Sequence, residues 1–107
     1  MNDEEVEMMS PAELKHTAET VLESLTGSGV AWHVNVLSLT SRDDFVSVAM
    51  FAWLPGNDDG LYKAVAGGGA LVDTMDGREV CESRVKGVAR KVATEITTAV
   101  LDLNGRM

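Results

Sequence analysis

Two neighbouring stretches, Val30–Thr40 and Phe45–Leu54, carry apolar side chains at both odd and even positions. A strand that shows one face to water alternates apolar with polar residues. Neither stretch does. Both are rich in Val, Phe, Trp and Thr, which suit a pleated surface. Ser41-Arg42-Asp43-Asp44 between them is polar turn material. They read as an antiparallel hairpin that is apolar above and below. Any fold built on it must cover both sides or leave one side for something else.

A four-residue loop predicts Thr40 opposite Phe45, and hence Trp32 opposite Trp53, Val34 opposite Phe51 and Val36 opposite Ala49. That register gathers Trp32, Val34, Val36, Phe45, Phe51 and Trp53 on one face. Ala31, His33, Asn35, Leu37, Leu39, Val46, Val48, Met50 and Leu54 then share the other. A slip of one residue would exchange these names. The two-faced apolarity survives it.

What could cover the hairpin is limited. A chain of 107 residues builds one core, so residues 10–107 are read as a single domain and the acidic residues 1–9 as a frayed terminus. One helix is announced by Ser10-Pro11-Ala12-Glu13, where Ser10 and Glu13 match a capping box and Pro11 fits the first helical position. Leu14, Ala18, Val21, Leu22 and Leu25 continue it as a single stripe, and Gly27 and Gly29 stop it. A second helix carries Val85, Val88, Ala89, Val92, Ala93, Ile96, Ala99, Val100 and Leu103, with Ser83 as its N-cap and Asn104-Gly105 as its stop. Its valines and threonines are poor helix formers, so packing must hold it.

Between the hairpin and this helix the signals compete. Pro55-Gly56-Asn57-Asp58-Asp59-Gly60 is a loop. Residues 61–66 suit a strand or a helical turn. Gly67-Gly68-Gly69 reads as a break. Asp76-Gly77 is a favoured two-residue hairpin turn, which predicts a second hairpin from Ala70–Met75 and Arg78–Ser83; the competing reading starts the last helix at Arg78. The expected fold is α+β: a helix, a mainly antiparallel sheet of three to five strands, and a C-terminal helix, with both helices on one sheet face.

The chemistry-bearing residues are few. The glycine run lacks the Lys and Ser or Thr of a phosphate-binding loop and is followed by Ala70-Leu71-Val72-Asp73. A turn or a close backbone approach accounts for it better. His16, His33 and Cys81 sit at no ligand spacing, so neither a metal nor a cofactor is expected. Cys81 with His33, oriented by Asn35, is the one nucleophilic arrangement available, and a lone buried cysteine more often serves as a small hydrophobe. The pairs Asp43-Asp44 and Asp58-Asp59 lack the alternating ligands of a calcium loop. No enzyme is expected.

Charge sets the remaining exclusions. The net charge is −8. Residues 1–60 hold eleven acids against two bases, whereas residues 61–107 hold six against seven. Such a balance disfavours phosphate backbones and anionic membrane surfaces. No apolar run reaches the length of a membrane span. The N-terminus is acidic where a secretory signal is basic, and the single cysteine suits a reducing, cytoplasmic compartment.

Arg78, Arg84, Lys86, Arg90 and Lys91 form a local basic cluster. The order helix, three strands, helix, with basic residues opening the second helix, resembles that of double-stranded RNA-binding domains. The resemblance is one of order alone: those domains carry Lys-Lys-x-x-x-Lys where this chain has Ser83-Arg84-Val85-Lys86-Gly87-Val88, and their aromatic and Gly-x-Gly signals are missing. Salt links from the cluster to the acidic N-terminal half explain it more simply.

Two readings of function follow. The first is a small acidic, non-enzymatic protein-binding module, a homodimer, acting as an accessory or inhibitor protein by occupying a partner's basic surface. Its interface is expected on His33, Leu37, Leu39, Val46, Val48 and Met50. The second is a nucleic-acid-binding domain using Arg84, Lys86, Arg90 and Lys91.

Overall fold

A computed structural model of the chain describes residues 9–56 and 62–105. Their order is helix α1 (Pro11–Leu25), strands β1 (Ala31–Ser38), β2 (Phe45–Pro55) and β3 (Tyr62–Asp73), a 3-10 turn (Thr74–Asp76) and helix α2 (Arg78–Gly105). The strands form one antiparallel meander, β1-β2-β3. The class is α+β, as the sequence implies. The terminal residues 1–8 and the Asp58-Asp59 pair lie outside the described residues.

Helix α1 starts as its sequence dictates. The Ser10 hydroxyl accepts from the Glu13 N–H at 3.1 Å, and Glu13 Oε1 accepts from the Ser10 N–H at 3.0 Å. Met9, expected to fray, is instead buried in the same cluster as Leu14. These are the two positions that flank the cap in a hydrophobic staple, which explains why order extends one residue ahead of the helix. At the other end the Thr26 hydroxyl and N–H both return to the Leu22 carbonyl.

Four expectations between the helices are corrected. First, Trp32 faces Ala52, not Trp53, and Val34 faces Met50. The loop is one residue longer than assumed: the Leu39 N–H bonds to the Phe45 carbonyl at 2.8 Å, leaving Thr40–Asp44 as the turn. Asp43 takes the left-handed conformation there (φ 59°), which Asp tolerates better than most residues. The Thr40 hydroxyl accepts the Asp44 N–H. Second, Gly67-Gly68-Gly69 breaks nothing; all three lie inside β3, paired with Phe51, Met50 and Ala49. Third, there is no hairpin at Asp76-Gly77: the chain leaves β3 through the 3-10 turn, and Gly77 (φ 97°) redirects it into α2. Fourth, Ser83 is not an N-cap. The Gly77 carbonyl accepts the first helical bond, from the Cys81 N–H, so the apolar stripe begins at Cys81.

The core is one cluster. Leu14, Ala18 and Leu22 of α1 and Cys81, Val85, Ala89, Val92, Ala93 and Ile96 of α2 are buried with the even-numbered side of the sheet. That side comprises Val34 on β1, Val46, Val48, Met50 and Ala52 on β2, and Ala66, Ala70 and Val72 on β3. Helix α1 packs on β1 and on α2, and α2 packs on β3 and β2. Gly68 has a reason to be glycine: a Cβ there would stand 3.2 Å from methyl groups of both Val88 and Val92. Its absence lets α2 lie close against the middle of β3.

The two helices differ in reach. Helix α2 has 28 residues, about 42 Å at the helical rise, and runs the length of the 12-residue β3. Helix α1 has 15 residues, about 22 Å. The fold is accordingly long and narrow, 61 × 23 × 16 Å.

Thr74 locks one end of the sheet together. It is fully buried; its hydroxyl donates to the carbonyls of Asp43 and Asp44, and its N–H donates to the Asp44 carbonyl at 2.8 Å. The β1–β2 turn is thereby fastened to the exit of β3.

Candidate functional site

The odd-numbered side of the sheet carries the feature that the core does not explain. At one end of it Phe51 and Val65 are 46% and 58% exposed, beside a half-buried Trp53 whose ring lies 5.8 Å from that of Tyr62. At the other end Leu37 and Leu71 are 59% and 58% exposed, with Leu39 and Phe45 next to them. Between the two ends the row Asn35, Ala49, Gly69 is low. Gly67 keeps the surface low as well. The Phe51 ring lies over it, so that a Cβ there would come within 3.0 Å of Phe51 Cδ1. The four rows from Ala31–Trp53–Val65 to Leu37–Ser47–Leu71 include no Asp, Glu, Lys or Arg; the next row pairs Phe45 with Asp73, and Lys63 stands exposed beside Tyr62 at the other end.

The expected interface divides here. His33, Leu37 and Leu39 are on this exposed side. Val46, Val48 and Met50 are not: each is fully buried in the core cluster. The one-residue shift of β2 puts Phe45, Phe51 and Trp53 in their place. Phe45, Phe51 and Trp53, which the predicted register grouped with Val34 and Val36, are therefore on the open side, and of the four aromatics of the hairpin Trp32 alone packs against the core. Exposed large apolar side chains in a contiguous group mark interaction surfaces on small proteins.

The basic cluster is largely answered from within. Arg78 meets Glu13 at 2.8 Å and Glu82 at 3.8 Å. Arg84 meets Asp76 at 3.6 Å and Lys86 meets Glu82 at 3.5 Å. The Arg78 link joins α2 to the acidic N-terminal half as expected, whereas Arg84 and Lys86 use acids of their own half. Arg90 and Lys91 are exposed and have no ion pair among the described residues. Glu13 serves two partners at once. The Ser10 backbone N–H first, and the Arg78 guanidinium second, hold its carboxyl below the ordinary carboxylate value.

The nucleophile candidate comes apart. Cys81 is 1% exposed, and its thiol donates to the Asp73 carbonyl at 3.4 Å. Burial, and then the nearby Asp76 carboxylate, push its pKa up, so it stays a protonated thiol. His33 and Asn35 stand on the exposed side of β1, away from the core that holds Cys81. His16 lines a surface groove of about 380 Å³ with Met9, Glu13, Arg78 and Glu82, in which Glu13 is already committed to Ser10 and Arg78. Among the described residues no three His, Cys, Asp or Glu side chains gather to hold a metal. Asp43 accepts from the Ser38 hydroxyl and Asp44 donates to Thr40, so this pair shapes a turn.

Among the described residues no helix is long and apolar enough to cross a membrane. No family model, curated protein or solved structure matches the chain.

Proposed function

We propose that the protein is a non-enzymatic protein-binding module, working in a reducing, cytoplasmic setting, and that its odd-numbered sheet side is the binding surface. In this reading both helices share the even-numbered side, which supports it by being buried while the other is exposed. The observation that carries the proposal is the exposed odd side, free of charged residues across its four central rows, with large apolar side chains at both ends and a low centre. The free, buried Cys81 suits a reducing compartment. The acids of α1 and of the β1–β2 turn would steer the molecule toward a basic target, which fits an accessory or inhibitor protein that occupies a partner's surface.

A second reading, nucleic-acid binding, draws on the helix–three strands–helix order and on the uncompensated Arg90 and Lys91. It ranks below because Arg84 and Lys86 are already close to Asp76 and Glu82, and because affinity for phosphates needs several free cations.

The test compares two double variants. Protein–protein association is expected to be lost in Leu37→Glu/Leu71→Glu and kept in Arg84→Glu/Arg90→Glu. A duplex RNA of about 20 base pairs is expected to stay unbound at low salt. Salt-sensitive RNA binding that disappears in the arginine variant would replace the first reading with the second.

A further inference from the structure

We infer that the occupant of the odd-numbered sheet side is a second copy of this chain, packed face to face about a two-fold axis. The inference rests on the reading of that side as a binding surface, and it chooses among occupants by charge and area.

Charge comes first. A basic partner gains little from this side, since its four central rows offer no carboxylate and Asp73, at the edge beside Phe45, already accepts from the Met75 N–H. The acids that would attract such a partner are elsewhere, on α1 (Glu13, Glu19, Glu23) and in the turn (Asp43, Asp44). A chain of net charge −8 should also repel its own copy. Face-to-face sheets avoid that repulsion. The sheets sit about 10 Å apart, and each helix layer lies about 10 Å further out. The two acidic helices are then roughly 30 Å apart, about three screening lengths at 0.1 M salt. A surface uncharged across its centre is thus compatible with itself, and the acid-bearing surfaces remain outside for a different, basic protein.

Area agrees. Large side chains expose on the order of 150–250 Å² when fully open. The exposed fractions of Leu37, Leu39, Phe45, Phe51, Tyr62, Val65 and Leu71 then amount to roughly 600 Å² per copy. Two copies would bury about 1,200 Å², the lower end of specific protein interfaces.

Shape completes the argument. The side has an aromatic end and an aliphatic end about a low centre at Ala49. A two-fold axis across the strands at Ala49 lays each copy's aromatic end on the other's aliphatic end. The pairing closes on itself, as isologous interfaces do. Asn35, beside Ala49 in the same row, would meet its own copy, where an amide can both donate and accept.

The experiment is sedimentation of the full-length protein at concentrations from about 1 to about 300 μM. Wild type is expected at twice 11.4 kDa in the upper range. Leu37→Glu/Leu71→Glu, with unchanged circular dichroism, is expected to weaken the dimer roughly a hundredfold, because it places carboxylates in an apolar interface. Ala49→Glu, which sets two carboxylates against each other on the two-fold axis, is expected to abolish the dimer with unchanged circular dichroism. A wild type that stays at 11.4 kDa throughout overturns the second copy and leaves the binding-surface reading to its own test. A dimer that survives Leu37→Glu/Leu71→Glu overturns the face-to-face arrangement and likewise leaves the binding-surface reading to its own test. Should Leu37→Glu/Leu71→Glu unfold, the Ala49→Glu result decides: a dimer that survives it refutes the inference.

Discussion

Adjacent glycines of β3 should respond to the same substitution with opposite signs. Replacing a strand-interior glycine by alanine ordinarily gains about 0.5–1 kcal/mol, because glycine gives up more conformational freedom on folding. At Gly69 that gain should be realised: the nearest atom to a new Cβ is the Val48 carbonyl oxygen at 3.4 Å, and the next is Ala49 Cα at 4.0 Å. At Gly68 the new methyl meets Val88 Cγ1 and Val92 Cγ2, both at 3.2 Å. Val92 is fully packed and cannot swing away, so α2 must shift or strain. Overpacking of this kind costs about 1–3 kcal/mol. Set against the ordinary gain, Gly68→Ala should be destabilised by roughly 0.5–2 kcal/mol, whereas Gly69→Ala is stabilised by about 0.5–1 kcal/mol. In a domain of this size the gap is on the order of 5–20 °C in Tm. Urea denaturation followed by circular dichroism, at equal and low protein concentration, measures both. Val92→Ala should recover part of the Gly68→Ala loss in a double-mutant cycle, by about 1 kcal/mol. A Gly68→Ala protein at least as stable as wild type, with no coupling to Val92, would refute the close approach of α2 to the sheet.

Two further outcomes test the joints of the fold. Thr74→Val keeps shape but removes the hydroxyl that serves the Asp43 and Asp44 carbonyls; it should cost about 1–3 kcal/mol by the urea midpoint, and no loss would mean the turn holds itself. Glu13 has a lowered pKa, so its contribution is present above the ordinary carboxylate range and is lost as pH falls through its folded value. The Tm deficit of Glu13→Gln should therefore shrink between about pH 7 and about pH 3, and a deficit that stays constant would exclude the charge as its cause.

The sequence made α1 legible to within a residue because its cap is local: Ser10, Pro11 and Glu13 carry all the information. The register of β2 was not legible. Phe45, Phe51 and Trp53 compete with Val46, Val48 and Met50 for the buried side, and alternation cannot rank two apolar sets. The arbiter is a left-handed Asp43 in a five-residue turn, which sequence does not announce. The glycine run misled for a different reason. Glycine signals a break when only the local chain is considered, yet Gly68 answers to Val88 and Val92 of a helix some twenty residues on. The start of α2 did leave a signal: Cys81 precedes Val85 by four, and Val85 precedes Ala89 by four. The odd side of the sheet was foreseeable as apolar, but three of its six named residues were on the wrong side through the same register shift.

The difference in reach between the two helices divides the molecule lengthwise. Where α1 lies beside α2, the first helix covers β1, the second covers β3, and β2 touches both. Past the end of α1, the last turns of α2 and the first residues of β3 hold on to each other without a second helix alongside. Resistance to local opening should fall along the long axis, with amide protons exchanging fastest at the Tyr62 and Leu103 end and slowest near Thr74. Unfolding would then proceed as a peel from that thin tip, and any sequence grafted there would disturb the rest of the protein least.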